Sequence, residues 1–349
     1  MTRMARRVNT VAKPRPAQLD PERINAALHG LFGSQLATRV GFHAIVPAFR
    51  QDGADVAPED LPVSRRISVL VHGLMDDERG WILGGWESAT RALKRTPVLF
   101  RHPSGEPIPQ NGDALSNLLE RLYQSNKIAE IDLVGFSQGG LVARAALNHA
   151  TEKKLEWIHH VHNVIFVGTP LLGADLERTV SYLSSILGSL PALRPWYLRP
   201  ALRHAPGMRG SPIPDLVHFF AVTIPGLSTA AIRLLVEQRS HGIRDLRHGR
   251  YRWEDMGLPG TGYSLPPGVE TWAIAAYLGG SIPQSPAFWH TDGMVSLPSA
   301  WNISDPETLI PPGRRFMITR TSHYNLMFKA TALEIYRSLY GRRATRLEA

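Results

Sequence analysis

Apolar and polar positions divide this chain into stretches of two periods. Ile67 to Val71, Pro97 to Phe100, Ile131 to Phe136 and Asn163 to Val167 are short apolar runs with the length and the β-branched content of strands buried on both faces. Between them, Trp81 to Lys94 and Asn111 to Tyr123 read as helices, the second with Leu115, Leu118, Leu119 and Leu122 at helical spacing. Strands alternating with helices at this interval predict βαβ units and a mostly parallel central sheet flanked by helices. The strand pattern resumes over Val269 to Tyr277 and Arg315 to Thr319, and a last helix is expected from Asn325 to Tyr340. At the front of the chain, Asp20-Pro21-Glu22 can cap a helix in which Ile24, Ala27, Leu28 and Leu31 share a face, expected to be peripheral. Phe42 to Phe49 suggests a short strand before a turn at Asp52-Gly53.

From about Asp175 to Gly262 the alternation lapses. This stretch is rich in Pro and Arg and contains no lysine. Tyr182, Leu183, Ile186, Leu187 and Leu190 recur at helical spacing, followed closely by Leu193, Trp196, Tyr197 and Leu198. The expected organisation is therefore a basic tail and N-terminal extension (1–60), a first part of the core (61–174), a cap or lid insertion (175–262) and a second part of the core (263–349). The apolar stripe belongs to a core or to a cap over the carboxyl ends of the strands, where ligands bind in open α/β sheets. Its position directly after the strand end at Gly168-Thr169-Pro170 favours the cap, with Leu183, Leu187 and Trp196 as candidate substrate-binding residues.

Composition narrows the class. With 349 residues and 43% hydrophobic content the chain can bury a sizeable core. It has no cysteine, which excludes disulfides and thiolate metal sites. The net charge of +9 invites a nucleic-acid reading until the charges are located. Arg3, Arg6, Arg7, Lys13 and Arg15 stand among sixteen residues without an acid, and Arg337, Arg342, Arg343 and Arg346 outnumber Glu348 at the other end. The body is close to neutral, so solvated tails are expected, with weak contact to anionic membranes as the alternative and no nucleic-acid partner. No apolar segment precedes Pro14, and Leu216 to Val236 is interrupted by His218, Pro225-Gly226 and Arg233, so neither a secretory signal nor a membrane span is expected and the default is a cytoplasmic protein.

The chemistry centres on Gly135-Phe136-Ser137-Gln138-Gly139, set between an apolar strand and a helix. This is the pattern of a nucleophile elbow, with Ser137 as nucleophile and glycines where a Cβ would clash; the competing reading is an ordinary glycine-rich turn. A serine hydroxyl needs a base, and the base needs a partner that fixes its tautomer. In the chain order nucleophile, acid, base, His323 falls after the last strand and before the last helix, and Asp292 falls on the loop after the strand ending near Tyr277. Asp292-Gly293 also reads as a simple turn, and Asp245 and Asp255 are rival acids. His204, His218, His241, His248 and His290 are rival bases. The oxyanion is expected to receive the backbone N–H groups of Gln138 and, on the His72-Gly73-Leu74 loop, of Leu74. His72 itself is expected to be structural. Asp76 and Asp77 are read as a solvated turn rather than metal ligands.

Together, Val71-His72-Gly73, the elbow, Val167-Gly168-Thr169-Pro170, Thr291-Asp292-Gly293-Met294-Val295 and Ser322-His323 resemble the lipase-like branch of the α/β-hydrolase fold superfamily. The likeness covers about residues 64–174 and 264–340. It implies an eight-stranded, mostly parallel sheet with a mobile cap, and serine ester hydrolysis in which Ser137, Asp292 and His323 form the triad, with no cofactor and no metal. Serine at the elbow argues against haloalkane dehalogenase and epoxide hydrolase chemistry, which places aspartate there, and against polyester synthases, which use cysteine. The expected activity is cleavage of a small-molecule or lipid carboxylic ester through an acyl-enzyme. Thioesterase, amidase and acyltransferase chemistry on the same triad remain alternatives, as does a non-catalytic binding protein on this fold.

Overall fold

In the computed structural model, residues 21–33, 43–174, 240–246, 266, 268–280, 291–303 and 310–347 are described. Helix α1 (Pro21–Phe32) precedes an edge hairpin of β1 (Ala48–Gln51) and β2 (Ala54–Val56). There follow β3 (Arg66–Val71), α2 (Arg79–Leu83), α3 (Trp86–Ala92), β4 (Thr96–Arg101), α4 (Ile108–Ser125), β5 (Glu130–Phe136), α5 (Gln138–Lys153) and β6 (Val161–Val167). After these come α6 (His241–Leu246), β7 (Glu270–Tyr277), α7 (Leu297–Ala300), β8 (Arg315–Thr319) and α8 (Ala330–Leu347). The strands form one sheet of eight in the order β2-β1-β4-β3-β5-β6-β7-β8. From β4 to β8 every neighbouring pair is parallel, and only β1 runs antiparallel to β4 and to β2.

Strict alternation along buried strands gives the sheet two apolar faces. Val69, Val71, Leu133, Val164 and Phe166 pack with Leu115, Leu119, Leu141 and Val142 of α4 and α5 on one side. Leu70, Val134, Ile165 and Ile274 pack with Trp86 of α3 and Tyr336 of α8 on the other. Asp132 interrupts the apolar run of β5, and it is fully buried. Its carboxylate is paired with Arg95 at 2.9 Å and accepts hydrogen bonds from Asn163 at 2.7 Å and from the Tyr340 hydroxyl at 2.6 Å. This network lies near the amino end of β5, while Ser137 lies just past its carboxyl end.

Four expectations change. The sheet begins at Ala48, so the hairpin inside the expected 1–60 extension belongs to the core sheet. Helix α1 is not peripheral: Ala26, Ala27, Leu28 and His29 are buried, and Ser240 Oγ donates to Gly30 O at 2.7 Å. The helix expected over Trp81 to Lys94 is broken into α2 and α3 at Gly84-Gly85, where Gly85 adopts a left-handed conformation with φ 80°. The last helix starts later than expected, at Ala330, because Tyr324–Phe328 forms a separate 3-10 turn behind His323. Among the described residues no helix is long and apolar enough to cross a membrane.

Candidate active site

Ser137 stands alone between the last residue of β5 and the first of α5, with φ 51° and ψ −122°. A side-chain-bearing residue is strained there, at a cost of about 1–3 kcal/mol, and persists only where its surroundings hold it. Here the Ser137 N–H donates to Val167 O at 2.8 Å, and the Gly140 N–H donates to Ser137 O at 3.1 Å. The two glycines of the motif are needed for close approach. A Cβ on Gly139 would lie 2.1 Å from Val71 O, and one on Gly135 would lie 2.3 Å from the backbone of Gly140. Strand, helix and the end of β3 therefore meet at van der Waals limits, which presents Ser137 at the carboxyl end of the sheet.

His323 and Asp292 arrive there from the segments after β8 and β7. His323 Nδ1 donates to Asp292 Oδ2 at 2.7 Å, and the His323 backbone N–H donates to Asp292 O at 3.0 Å. The other carboxylate oxygen, Oδ1, accepts from Met294 N–H at 2.9 Å and from Val295 N–H at 2.7 Å. Asp292 is thus both the turn residue that Asp-Gly suggests and the partner of a histidine. Both side chains are buried, and His323 Nε2 has no hydrogen-bond partner among the described residues. Ser137, His323 and Tyr324 line one pocket, whose remaining wall is apolar and includes Leu74, Phe136, Pro170, Leu246 and Met294.

Leu74 lines the same pocket and Gln138 follows Ser137 in the chain, and neither N–H donates a hydrogen bond to another described residue. Gly73 brings the first of these loops in, since a Cβ there would sit 3.1 Å from Ser137 Cβ. The His72 ring is engaged by backbone on both nitrogens: Nδ1 donates to Gly73 O at 2.9 Å, and Nε2 accepts from His102 N–H at 3.1 Å. His102 stacks on it with ring centroids 4.1 Å apart. Burial, with the His72 ring beside it, pushes His102 well below the ordinary histidine range, so it packs as a neutral ring.

Other candidates fall away from the pocket or outside the described residues. Asp245 Oδ2 accepts from Ile108 N–H at 2.8 Å, at the first turn of α4. His241 is exposed on α6. Asp255, His204, His218, His248, His290 and the cap residues Leu183, Leu187 and Trp196 lie outside the described residues. The solvated turn expected at Asp76 and Asp77 is instead buried: Asp76 pairs with Arg23 at 3.3 Å, Asp77 accepts from Arg79 Nε at 2.9 Å, and neighbouring Glu78 pairs with Arg101 at 2.6 Å. Burial raises the Asp76 carboxyl above its usual range, helped by the charge of Asp77 and opposed by Arg23. Among the described residues no group of three or more His, Asp or Glu is placed to hold a metal ion. Leu246, inside the expected insertion at the end of α6, was not among the sequence candidates; nothing in the pattern marks one leucine there as pocket lining.

The strand order, the parallel body of the sheet and the strained serine between β5 and α5 define this chain as an α/β-hydrolase-fold protein. The family described as Domain of unknown function (DUF7379) matches residues 40–196. Comparison with curated proteins returns no match. Among solved structures, the chain is similar to the mature form of Bacillus licheniformis lipase BlEst2, with 16% identity, a TM-score of 0.47, and 84% of this chain and 96% of that one covered. It is also similar to a thermophilic esterase from Thermogutta terrifontis, with 15% identity, a TM-score of 0.41, and 79% and 90% covered. A third is the N-acyl homoserine lactonase AidH complexed with N-butanoyl homoserine, with 12% identity, a TM-score of 0.43, and 81% and 91% covered.

Proposed function

We propose that this chain is a serine hydrolase of carboxylic esters, with Ser137 as nucleophile, His323 as base and Asp292 as its orienting acid. The observation that carries the reading is the His323 ring, tied to Asp292 through Nδ1, with an Nε2 that has no partner among the described residues in the pocket that Ser137 lines. Nδ1–H donating to a carboxylate leaves Nε2 as the basic nitrogen, the tautomer a general base requires. In this scheme Ser137 Oγ bonds to the acyl carbon as its proton passes to His323 Nε2. The resulting oxyanion accepts hydrogen bonds from the Leu74 and Gln138 N–H groups. Collapse breaks the ester C–O bond, and His323 returns the proton to the departing alcohol. Water, deprotonated by the same nitrogen, then releases the acid and restores Ser137. The scheme uses no cofactor and no metal.

The apolar wall around Ser137 supports an acyl group of several carbons, and residues 175–262 are proposed to complete that wall as a cap. Each further methylene buried against it is worth up to about 0.8 kcal/mol, roughly fourfold in kcat/KM. On a panel of p-nitrophenyl esters, kcat/KM is therefore expected to rise from acetate through butyrate before levelling where the pocket ends. Absence of turnover on every ester of the panel would overturn the reading, and a flat profile would overturn the apolar acyl site.

A further inference from the structure

We propose that Ser104 is a positioning residue that sets the spacing between the two N–H groups meant for the oxyanion, an inference that rests on the ester-hydrolase reading above. Ser104 lies in the turn after β4 and is 1% exposed. It touches both halves of the proposed hole at once. Its Oγ accepts from the N–H of Met75 at 3.0 Å, one residue beyond Leu74. Its carbonyl oxygen accepts from Gln138 Nε2 at 2.9 Å, so the residue that offers one oxyanion N–H through its backbone grips Ser104 through its side chain. Gln138 Nε2 also lies 3.2 Å from Gly242 O, which ties the same point to α6.

The two N–H groups belong to loops after different strands, β3 and β5. Both must come within about 2.7–3.1 Å of one oxygen to stabilise it, and an error of an ångström in such a constellation costs about a hundredfold in rate. Ser104 hydrogen-bonds to both loops. Helix α1 blocks retreat on the far side: a Cβ on Gly30 would stand 2.7 Å from Met75 N and 2.8 Å from Ser104 Oγ. A Cβ on Gly105 would stand 1.9 Å from His29 O, so the turn itself is pressed against the same helix. The burial of α1 thereby acquires a purpose. It backs the Met75–Ser104 hydrogen bond, which in turn holds Leu74. The His72–His102 contact is a second tie on the β3 side, so losing Ser104 Oγ is expected to loosen the hole rather than abolish it.

The test compares wild type with Ser104→Ala, which leaves the Met75 N–H without its acceptor, and with Gly30→Ala, which presses on the same bond from α1. Active sites are counted by fluorophosphonate titration carried to its end point, so that any unfolded fraction drops out. A positioning role predicts a kcat per active site lower by about tenfold to a hundredfold in Ser104→Ala, with KM on p-nitrophenyl butyrate little changed. Affinity for a trifluoromethyl ketone, whose adduct with Ser137 carries the oxyanion, should fall by the same factor as kcat/KM. Gly30→Ala should fall on the same line. A residue that only stabilises the fold would lower the active fraction and leave kcat per site intact, and that result in Ser104→Ala overturns the proposal. So does a loss of kcat with undiminished affinity for the ketone. A wild-type protein inert toward esters and fluorophosphonate would overturn the underlying reading, whereas an active wild type with an unaffected Ser104→Ala overturns this inference alone.

Discussion

Ser137→Ala is expected to lower ester turnover by about a millionfold while the protein remains folded. The change removes one oxygen from a buried turn; because the replacement keeps a Cβ, the φ of 51° is neither relieved nor worsened. The midpoint of urea unfolding should therefore shift by no more than about 0.5 kcal/mol in free energy. The residual activity should remain above that of water, since the Leu74 and Gln138 N–H groups are untouched. Turnover on p-nitrophenyl butyrate and the unfolding midpoint, measured on the same preparation, decide the matter. Undiminished turnover would remove Ser137 from the chemistry.

Asp292→Asn is expected to lower kcat by about ten-thousandfold, through the tautomer of His323 rather than through any loss of packing. Oδ1 of Asp292 already receives the N–H groups of Met294 and Val295. Asparagine satisfies both donors only by keeping its carbonyl oxygen there, which turns its NH2 group toward His323 Nδ1. The ring must then accept on Nδ1 and carry its proton on Nε2, where it can no longer take one from Ser137. Asp245→Asn is the contrast. That substitution keeps an acceptor for Ile108 N–H, so kcat should stay within about twofold, with at most about 1 kcal/mol of stability lost from the start of α4. The opposite pattern in the two variants would move the acid to α6.

Much of the sheet was legible because strands buried on both faces read as continuous apolar runs. The run Arg315–Thr319 matches β8 residue for residue, and Val269–Tyr277 exceeds β7 by one residue. Asp292 and His323 could be chosen among many acids and histidines because they fall after strands, in an order that the elbow makes meaningful. Elements whose partners lie far along the chain could not be read. The face of α1 looks half-polar in isolation, and contacts with the His43, Met75, Ser104 and Ser240 segments explain why it is buried. Asp76 and Asp77 look solvated until Arg23 and Arg79 are brought beside them. Ser104, in Pro103-Ser104-Gly105, has the composition of any turn, and its two hydrogen bonds are made to residues 29 and 34 positions away.

The central claim is that Ser137 is a nucleophile activated by His323. Its most direct measurement is the site of covalent labelling by a fluorophosphonate, read by mass spectrometry of the digested protein. The account predicts a single stoichiometric adduct on the peptide containing Ser137 in the wild type, and loss of rapid labelling in His323→Ala, whose Ser137 has no base. An adduct on any other residue, or equally rapid labelling of Ser137 without His323, would contradict it.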